Sequence, residues 1–348
     1  MRVKVYKLFS ILLIIGAVAF AFFNKDWCLK QYDKLTALYY VYKGDKAYAN
    51  FKLNKSIDYY NKALKLYPQH YGAWYNLGNI YVVYEDYFSA VDAYEQAIKY
   101  NPKMMIARMN YGIVSAEKLG DFDGAIKQYK EIIKTKRHLV SIPFVYSNRK
   151  SYKENKGLAY YNMGLAYRQK ALYTGDNLVL QREYMGKAID SYKNAIKILK
   201  KHYDSTYNLA LAYHLTGEYS NAGLTYCKAI SIEPMKYEAH FNLAILLRRL
   251  KFYKESLDEL EKATILITDS EGASNRQRYV FDVMNDVTRT ILTDDDKKYL
   301  LDRVGDEVVK DGPITYVHGK VVSSKDLDRA IVKNFKTCGS KKIFLDND

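Results

Sequence analysis

Five asparagines share one spacing and one chemistry along this chain. Asn76 and Asn110 stand 34 residues apart, as do Asn208 and Asn242, and Asn162 lies between the two pairs. A carboxamide can donate a hydrogen bond to a peptide carbonyl and accept one from a peptide N–H without carrying a net charge. These side chains are therefore candidates for holding the main chain of a bound polypeptide. The alternative is that each amide satisfies neighbouring backbone or side-chain groups of its own chain.

The sequence lacks the signatures of common enzyme chemistry. It contains no G-x-x-x-x-G-K-[ST] phosphate loop, no H-E-x-x-H zinc motif, no G-x-S-x-G nucleophile motif and no G-x-G-x-x-G. The histidines are dispersed, and the acidic run Asp294-Asp295-Asp296 is typical of the start of a helix. We therefore expect no catalytic residues, no bound metal and no cofactor.

Charge and cysteine content are less decisive. Lysine and arginine outnumber aspartate and glutamate by 54 to 39, which gives a formal charge of +15. This charge suits an acidic protein, a nucleic acid or an anionic membrane surface, but the basic residues form no compact motif, which disfavours nucleic acid. Cys28, Cys227 and Cys338 are odd in number and far apart, so we expect neither a disulfide framework nor a zinc site. Cys227 is predicted to be a packing residue.

The N-terminus reads as a targeting segment. Basic residues precede Leu8–Phe23, a run of sixteen residues in which Ser10 is the only clearly polar side chain. We expect residues 1–30 to form a signal-anchor or transmembrane segment, with Trp27 at the membrane interface and the following domain outside the cytoplasm. The alternative is a signal cleaved near Ala19-Phe20-Ala21, which would leave a secreted or periplasmic protein.

A period of 34 residues runs through the middle of the chain. The clearest copy spans Tyr71–Met104 and carries, at fixed offsets, Trp74, Leu77, Gly78, Tyr81, Ala90, Tyr94, Ala97 and Pro102. These positions resemble the signature of the tetratricopeptide repeat (TPR), with tyrosine where phenylalanine is usual. The same frame returns at 37–70 and 203–236, and more loosely at 105–139, 157–202 and 237–270. The copy at 157–202 is split by an insertion around Thr174-Gly175-Asp176-Asn177.

The resemblance implies an all-α fold, a right-handed α-solenoid of about six TPR helix pairs over residues 37–270. Residues 140–156 interrupt the frame, and we expect a solvated connector or a helix extension there. Residues 271–348 are expected to form a small α or α+β capping module. Its predicted elements are helices at Arg276–Leu292, Asp294–Lys310 and Ser323–Phe335 and a hairpin at Ile314–Val322.

The resemblance also assigns a face to the asparagines. First helices line the concave groove of TPR arrays, so the five amides, each at the sixth place of its repeat, would form a ladder along that groove. Such a ladder is similar to the one with which the repeat domain of O-linked N-acetylglucosamine transferases holds peptide. Arg248, in the last repeat, would favour an acidic ligand, unless it is simply a solvent-exposed charge.

These features together predict a non-enzymatic scaffold for protein–protein interaction. We expect it to be membrane-anchored or exported and to bind a partner polypeptide in the concave groove. Two alternatives stay open on the sequence alone. One is an enzyme with an unrecognised site in residues 271–348, and the other is a basic protein that binds a polyanion or nucleic acid.

Overall fold

The structure is a computed structural model that describes residues 24–136, 149–267 and 273–290, three short strands between residues 310 and 321, and residue 338. The chain forms two compact units, Met1–Lys136 and Arg137–Asp348. Within the described residues, each unit is a TPR-like solenoid built from helices that pack in consecutive pairs. The prediction of TPR-type helix pairs is confirmed.

The described part of the first unit contains three helix pairs. Each pair consists of two consecutive helices joined by a short turn: α1 Lys25–Ala49 with α2 Leu53–Leu66, α3 Tyr71–Val83 with α4 Tyr87–Tyr100, and α5 Met105–Glu117 with α6 Phe122–Lys134. Helix α1 begins well before the predicted repeat. Residues 25–30, which the sequence assigned to the N-terminal segment, therefore belong to this helix. The apolar run Leu8–Phe23 lies outside the described residues.

Among the described residues, the second unit contains three more pairs and a further helix. Its elements are α7 Arg149–Leu172 with α8 Leu178–Leu199, α9 Tyr203–Thr216 with α10 Tyr219–Ile232, α11 Tyr237–Arg249 with α12 Tyr253–Leu266, and then α13 Ala273–Thr290. Residues Arg149–Lys156, within the predicted interruption, form the first turns of α7 and are thus a helix extension. None of the helices in the described part of the chain is long and apolar enough to span a membrane.

Local sequence explains where several helices begin and end. The side chains of Asp86 and Asn177 accept hydrogen bonds from backbone N–H groups in the first turns of α4 and α8. Gly217 ends α9 with φ of +83°, a left-handed conformation that glycine adopts without steric cost. Pro68 and Pro102 lie in the turns between repeats, where they prevent the preceding helix from continuing. The turn residues thus fix the length of each repeat.

Inside four helix pairs, a glycine of the first helix faces a buried tyrosine of the second. The pairs are Gly44 with Tyr60, Gly78 with Tyr94, Gly112 with Tyr129, and Gly164 with Tyr192. A Cβ atom on any of these glycines would lie 2.5 Å from the Cε1 atom of the tyrosine ring. The missing side chain therefore lets the two helices approach closely enough to bury the ring. In the pair α9–α10, Ala210 occupies the glycine position and Tyr226 is still fully buried.

We expect Gly164→Ala to lower the free energy of unfolding by about 1–3 kcal/mol, because the new methyl group overlaps the fully buried ring of Tyr192. Gly186→Ala is the matched control in the same repeat, because no atom lies within 4 Å of its added Cβ. Its better helix propensity should raise stability by about 0.5–1 kcal/mol. Urea unfolding of both variants tests this, and equal effects would contradict the close-approach argument.

Helix α13 covers the end of the last repeat. Its Val280, Val283 and Val287 are buried in one cluster with Ala244 of α11 and Leu257 and Leu260 of α12. Further along the chain, strands β1 Lys310–Asp311, β2 Ile314–Val317 and β3 Lys320–Val321 pair antiparallel in that order. Strands β2 and β3 fall within the range for which the sequence predicts a hairpin. The predicted helices Asp294–Lys310 and Ser323–Phe335 lie outside the described residues, except that Lys310 is the first residue of β1.

A disulfide within the second unit corrects the prediction made for the cysteines. Cys227, on α10, is bonded to Cys338, and their Cα atoms are 5.3 Å apart. The expectations that the cysteines form no disulfide and that Cys227 is a packing residue are therefore wrong. The two residues are separated by 111 positions, and no sequence rule pairs two cysteines across such a distance. Cys28 is a free cysteine.

Candidate functional site

In the first unit, the predicted asparagines connect neighbouring repeats. Asn76 on α3 donates from Nδ2 to Asp45 Oδ1 of α1, at 3.0 Å, and to the Tyr60 hydroxyl of α2, at 3.1 Å. The Tyr60 hydroxyl itself donates to Asp45 Oδ1 at 2.6 Å. Burial, followed by this hydrogen bond, raises the pKa of Tyr60 far above its ordinary value of 10. The phenol therefore stays neutral and keeps the proton that it donates.

The following repeat has the same arrangement with different partners. Asn110 on α5 donates from Nδ2 to Asn79 Oδ1 of α3, at 3.1 Å, and to the Tyr75 hydroxyl, at 3.4 Å. The hydroxyl of the buried Tyr94 donates to the same Asn79 oxygen at 2.8 Å. A buried tyrosine of one repeat and an asparagine of the following repeat thus share an acceptor on a first helix. The asparagine is part of the joint between repeats.

Replacing Tyr60 by phenylalanine is expected to lower stability by about 1–2 kcal/mol, because Asp45 and Asn76 both lose a hydrogen-bond partner. Tyr192 provides the comparison. Its hydroxyl is buried and has no hydrogen-bond partner among the described residues, so Tyr192→Phe should change stability by less than about 0.5 kcal/mol, or raise it. Thermal unfolding of the two variants distinguishes them. A larger loss for Tyr192→Phe would contradict the network.

In the second unit the asparagines also bond within the chain. Asn208 on α9 accepts from Arg168 Nη1 of α7 at 2.5 Å and donates to the Asp204 carbonyl oxygen at 2.8 Å. Asn242 on α11 donates to the Tyr207 hydroxyl of α9 at 2.8 Å. Asn162 on α7 likewise has a partner within the chain. The alternative that these amides satisfy their own neighbours is therefore realised, and their contact with a bound peptide stays a prediction.

Two further groups of the first helices are relevant to binding. Burial, with a smaller contribution from the Glu238 carboxylate, raises the pKa of Tyr207 to about 12, so its hydroxyl is neutral at physiological pH. Arg248, predicted to meet a partner, forms an ion pair through Nη2 with Asp286 of α13. Both side chains are partly exposed, so the charge of Arg248 is shared between the capping helix and solvent.

Three titratable residues of the last repeat form a buried cluster. Glu259 Oε2 is 2.6 Å from His240 Nδ1, its Oε1 accepts from Lys262 Nζ at 2.6 Å, and His240 Nε2 is 3.0 Å from the Pro234 carbonyl oxygen. His240 and Glu259 are fully buried, and Lys262 nearly so. A substrate has no access to such a cluster, so it holds α11 against α12. Among the described residues, no group of three or more histidine, cysteine or acidic side chains could hold a metal ion.

One opening suited to a ligand, among the residues that the structure describes, lies beside the insertion of the split repeat. Helices α7 and α8 are longer than the other repeat helices of the second unit, and beside them is a pocket of about 400 Å³. It is bounded by the C-terminal end of α7, the first half of α8 and the turn between α9 and α10. Apolar side chains form most of its wall: Leu172, Leu178, Met185, Ile189 and Leu215.

The margin of this pocket combines exposed apolar and charged groups. Leu172, Leu178 and Leu215 are each more than half exposed although they line it. Arg182, Glu218 and Gln181 supply polar groups at its edge. Apolar walls with a few polar groups are typical of sites that bind an apolar ligand group and orient it. Sequence reasoning missed this site, although the apolar run Leu178-Val179-Leu180 inside an insertion was a signal for it.

Comparison with known proteins agrees with this architecture. The family model described as "Tetratricopeptide repeat" matches residues 71–104, and a second model of the same description matches residues 203–234. The chain therefore contains tetratricopeptide repeats. Proteins built from these repeats act as scaffolds for protein interaction.

Individual relatives are distant. The protein named "BBSome complex member BBS4 homolog" of Drosophila melanogaster is 22% identical over 249 residues, which cover 70% of this chain. The match covers only 43% of that relative's length. Among solved structures, PilW, titled a widely conserved type IV pilus biogenesis factor, is 14% identical and aligns over 69% of this chain and 97% of its own, with a TM-score of 0.49. The MamA protein is 20% identical and aligns over 56% of this chain and 91% of its own, with a TM-score of 0.44.

Proposed function

We propose that this protein is a non-enzymatic scaffold that holds a partner polypeptide on its second unit. The observation that carries the proposal is the pocket of about 400 Å³ beside the lengthened pair α7–α8. An apolar side chain of the partner occupies this pocket, and the partner's main chain continues along the first helices of the same unit. Tyr207 and the asparagines of α7, α9 and α11 lie on those helices, and the proposal gives them peptide contacts in addition to their bonds within the chain.

The composition of the pocket indicates the partner's chemistry. Burying one leucine-sized side chain contributes about 1.5–3 kcal/mol, which is enough to make a single apolar residue the anchor of a short peptide. Arg182 and Glu218 have opposite charges, and Arg182 lies on α8 whereas Glu218 lies in the turn between α9 and α10. They therefore suit a peptide that carries polar groups on both sides of its apolar anchor, rather than a uniformly acidic or basic one.

The location of the repeats is part of the same proposal. The apolar run Leu8–Phe23 suits a membrane anchor or an export signal. The disulfide between Cys227 and Cys338 adds support, because such bonds persist in oxidising compartments and are rare in the cytosol. In this proposal the repeats lie outside the cytoplasm. They are either anchored to the membrane by the N-terminal segment or released when that segment is cleaved.

Site-specific photocrosslinking in cells tests the binding site. A photoreactive residue at Leu215, on the exposed edge of the pocket, should capture a polypeptide that mass spectrometry identifies. The matched control is Phe88 of α4, an apolar residue that is 74% exposed and belongs to the other unit. Capture at Leu215 that disappears in Gly186→Phe, which fills the pocket, would support the proposal. Equal capture at both positions, or capture unaffected by Gly186→Phe, would contradict it.

Variants of the asparagines are less suitable for this test. Asn208 bonds to Arg168, and Asn242 bonds to Tyr207 of the neighbouring repeat. Their removal therefore disturbs the joints between repeats as well as any peptide contact. Gly186 has open space around it, so its substitution changes the pocket without disturbing these joints.

A further inference from the structure

Helix α1 has a buried face of small residues and an exposed face of large apolar ones. One face packs against α2 and contains the buried Ala37, Val41 and Gly44. The other face is open: Trp27, Tyr32, Leu35, Leu38, Tyr39 and Tyr42 are each between 43% and 68% exposed. At 3.6 residues per turn, these six side chains fall within about 140° of the helix circumference. Helices of soluble proteins ordinarily present a polar stripe on the side away from the core, so this face needs a covering.

The following repeats show how unusual the open face is. The third residue of the second repeat, Ala73, and that of the third repeat, Ala107, are fully buried. Helices α3 and α5, which carry them, pack against the preceding helices α2 and α4. The corresponding residue of the first repeat is Tyr39, which is 53% exposed. Position three therefore carries a small residue where a preceding repeat packs, and a large amphipathic one in α1, for which the described residues include no preceding repeat.

The chemistry of the open face is that of a membrane interface. It combines one tryptophan, three tyrosines and two leucines, and it is bordered by lysines. Helix α1 contains five lysines, Lys25, Lys30, Lys34, Lys43 and Lys46, against three aspartates. Tryptophan and tyrosine favour the headgroup level of a bilayer, because their rings are apolar and their N–H and O–H groups remain hydrated. Lysines can bury their methylene chains and direct the ammonium towards lipid phosphates.

We propose that α1 lies along an anionic membrane surface, with the face formed by Trp27, Tyr32, Leu35, Leu38, Tyr39 and Tyr42 in the headgroup region. The charge balance favours lipid over a second copy of this chain as the covering. Two copies joined through this face would bring their lysine borders together, whereas anionic headgroups neutralise them. This contact holds the first unit against the membrane and thereby fixes the direction in which the repeats extend.

Tryptophan quenching in vesicles tests the proposal on the full-length chain. The sequence has only two tryptophans, Trp27 and Trp74, so the double variant Trp27→Phe with Trp74→Phe contains none. Adding Tyr42→Trp to this variant gives a protein with a single fluorescent reporter at position 42. Tyr42 lies about 22 Å along the helix axis from Trp27, so an N-terminal anchor alone would not bring it to the membrane. The control reporter is Phe88→Trp in the same background. The probes are vesicles of brominated phosphatidylcholine, with and without phosphatidylglycerol.

The expected result is that the reporter at position 42 loses more than half of its fluorescence in vesicles containing phosphatidylglycerol, whereas the reporter at position 88 keeps its fluorescence. The double variant Tyr39→Glu with Tyr42→Glu should no longer contact the membrane. In the wild type, vesicles should protect Lys43 and Lys46 from acylation, and in the double variant this protection should be lost. The unfolding temperature of the double variant should be unchanged. If the protein binds the vesicles but the fluorescence of the tryptophan at position 42 is not quenched, the proposal is overturned. The proposed scaffold function would not be affected by that result. A dimer that the glutamate substitutions dissociate would also overturn it, because a second copy would then cover the face.

Discussion

Replacement of Glu259 by alanine is expected to lower the free energy of unfolding by about 3–5 kcal/mol. Its carboxylate is completely buried and lies 2.6 Å both from His240 Nδ1 and from Lys262 Nζ. Without it, the ammonium of Lys262 and the ring of His240 remain in a site that water does not reach. The measurement is denaturant unfolding at neutral pH. A loss below about 1 kcal/mol would show that solvent enters the site.

Two comparisons make this prediction specific. Glu183→Ala removes the same side chain from an exposed pair with Lys187 and should cost at most about 1 kcal/mol. Replacing the whole cluster, with His240→Phe, Glu259→Leu and Lys262→Met together, should recover most of the loss, because no unpaired charge is left buried. If the triple variant is no more stable than Glu259→Ala, the loss arises from packing rather than from charge.

The cluster of His240, Glu259 and Lys262 should also make the free energy of unfolding fall at acidic pH. Burial by itself raises the pKa of Glu259, but the hydrogen bond with His240 and the charge of Lys262 outweigh it and hold the pKa below its ordinary value of 4.5. A carboxyl with a depressed pKa in the folded state contributes stability above pH 4.5, and this contribution is lost as the pH falls through the folded-state pKa. Glu259→Gln should therefore lose less stability than the wild type between neutral and acidic pH.

Removal of the Cys227–Cys338 disulfide is expected to have an effect of similar size. The bond closes a loop across 111 positions, for which the loop-closure model gives about 4–5 kcal/mol. Reduction, or Cys227→Ser with Cys338→Ser, should lower the denaturation midpoint of the second unit by the corresponding amount. Calorimetry with and without reductant measures this change, and the double variant should be insensitive to reductant.

Cys28 provides the matched control, because it is the free cysteine of the chain. Cys28→Ser should leave stability unchanged. The protein is purified without reductant, then unfolded, and its thiols are titrated. The titration should detect a single reactive thiol in the wild type and none in Cys28→Ser. Titration of three thiols in the wild type would contradict the disulfide and would also weaken the case for an oxidising compartment.

The sequence predicts the repeats because their signals are local and recur. Gly78 and Tyr94, for example, must keep a fixed spacing for the ring to fit between the two helices, and the same pairing returns in other repeats. The sixth-place asparagines are also evident as a set, because they recur at one position of the repeat. Their actual partners, such as Asp45 for Asn76, lie on the preceding repeat and become evident only when the repeats are stacked.

The remaining features depend on contacts between distant residues. The pocket forms because α7 and α8 extend beyond the repeat frame and meet the turn at Thr216 and Glu218. A local pattern identifies the insertion but not what it packs beside. Glu259 and His240 are 19 positions apart on different helices, and nothing in either segment marks them as buried partners. The partner of Cys227 lies beyond the last repeat, where no periodic frame guides the alignment.

The most direct test of the scaffold proposal is a selection of peptides from a displayed random library on the full-length protein. The account predicts peptides that share one large apolar residue flanked by polar groups. It also predicts that the peptides bind Gly186→Phe at least about tenfold more weakly than the wild type, because the phenylalanine excludes a leucine-sized side chain from the pocket. Their affinity for Gly186→Ala should be unchanged. Selected peptides that bind wild type and Gly186→Phe equally well would contradict the central claim that this pocket receives a partner's side chain.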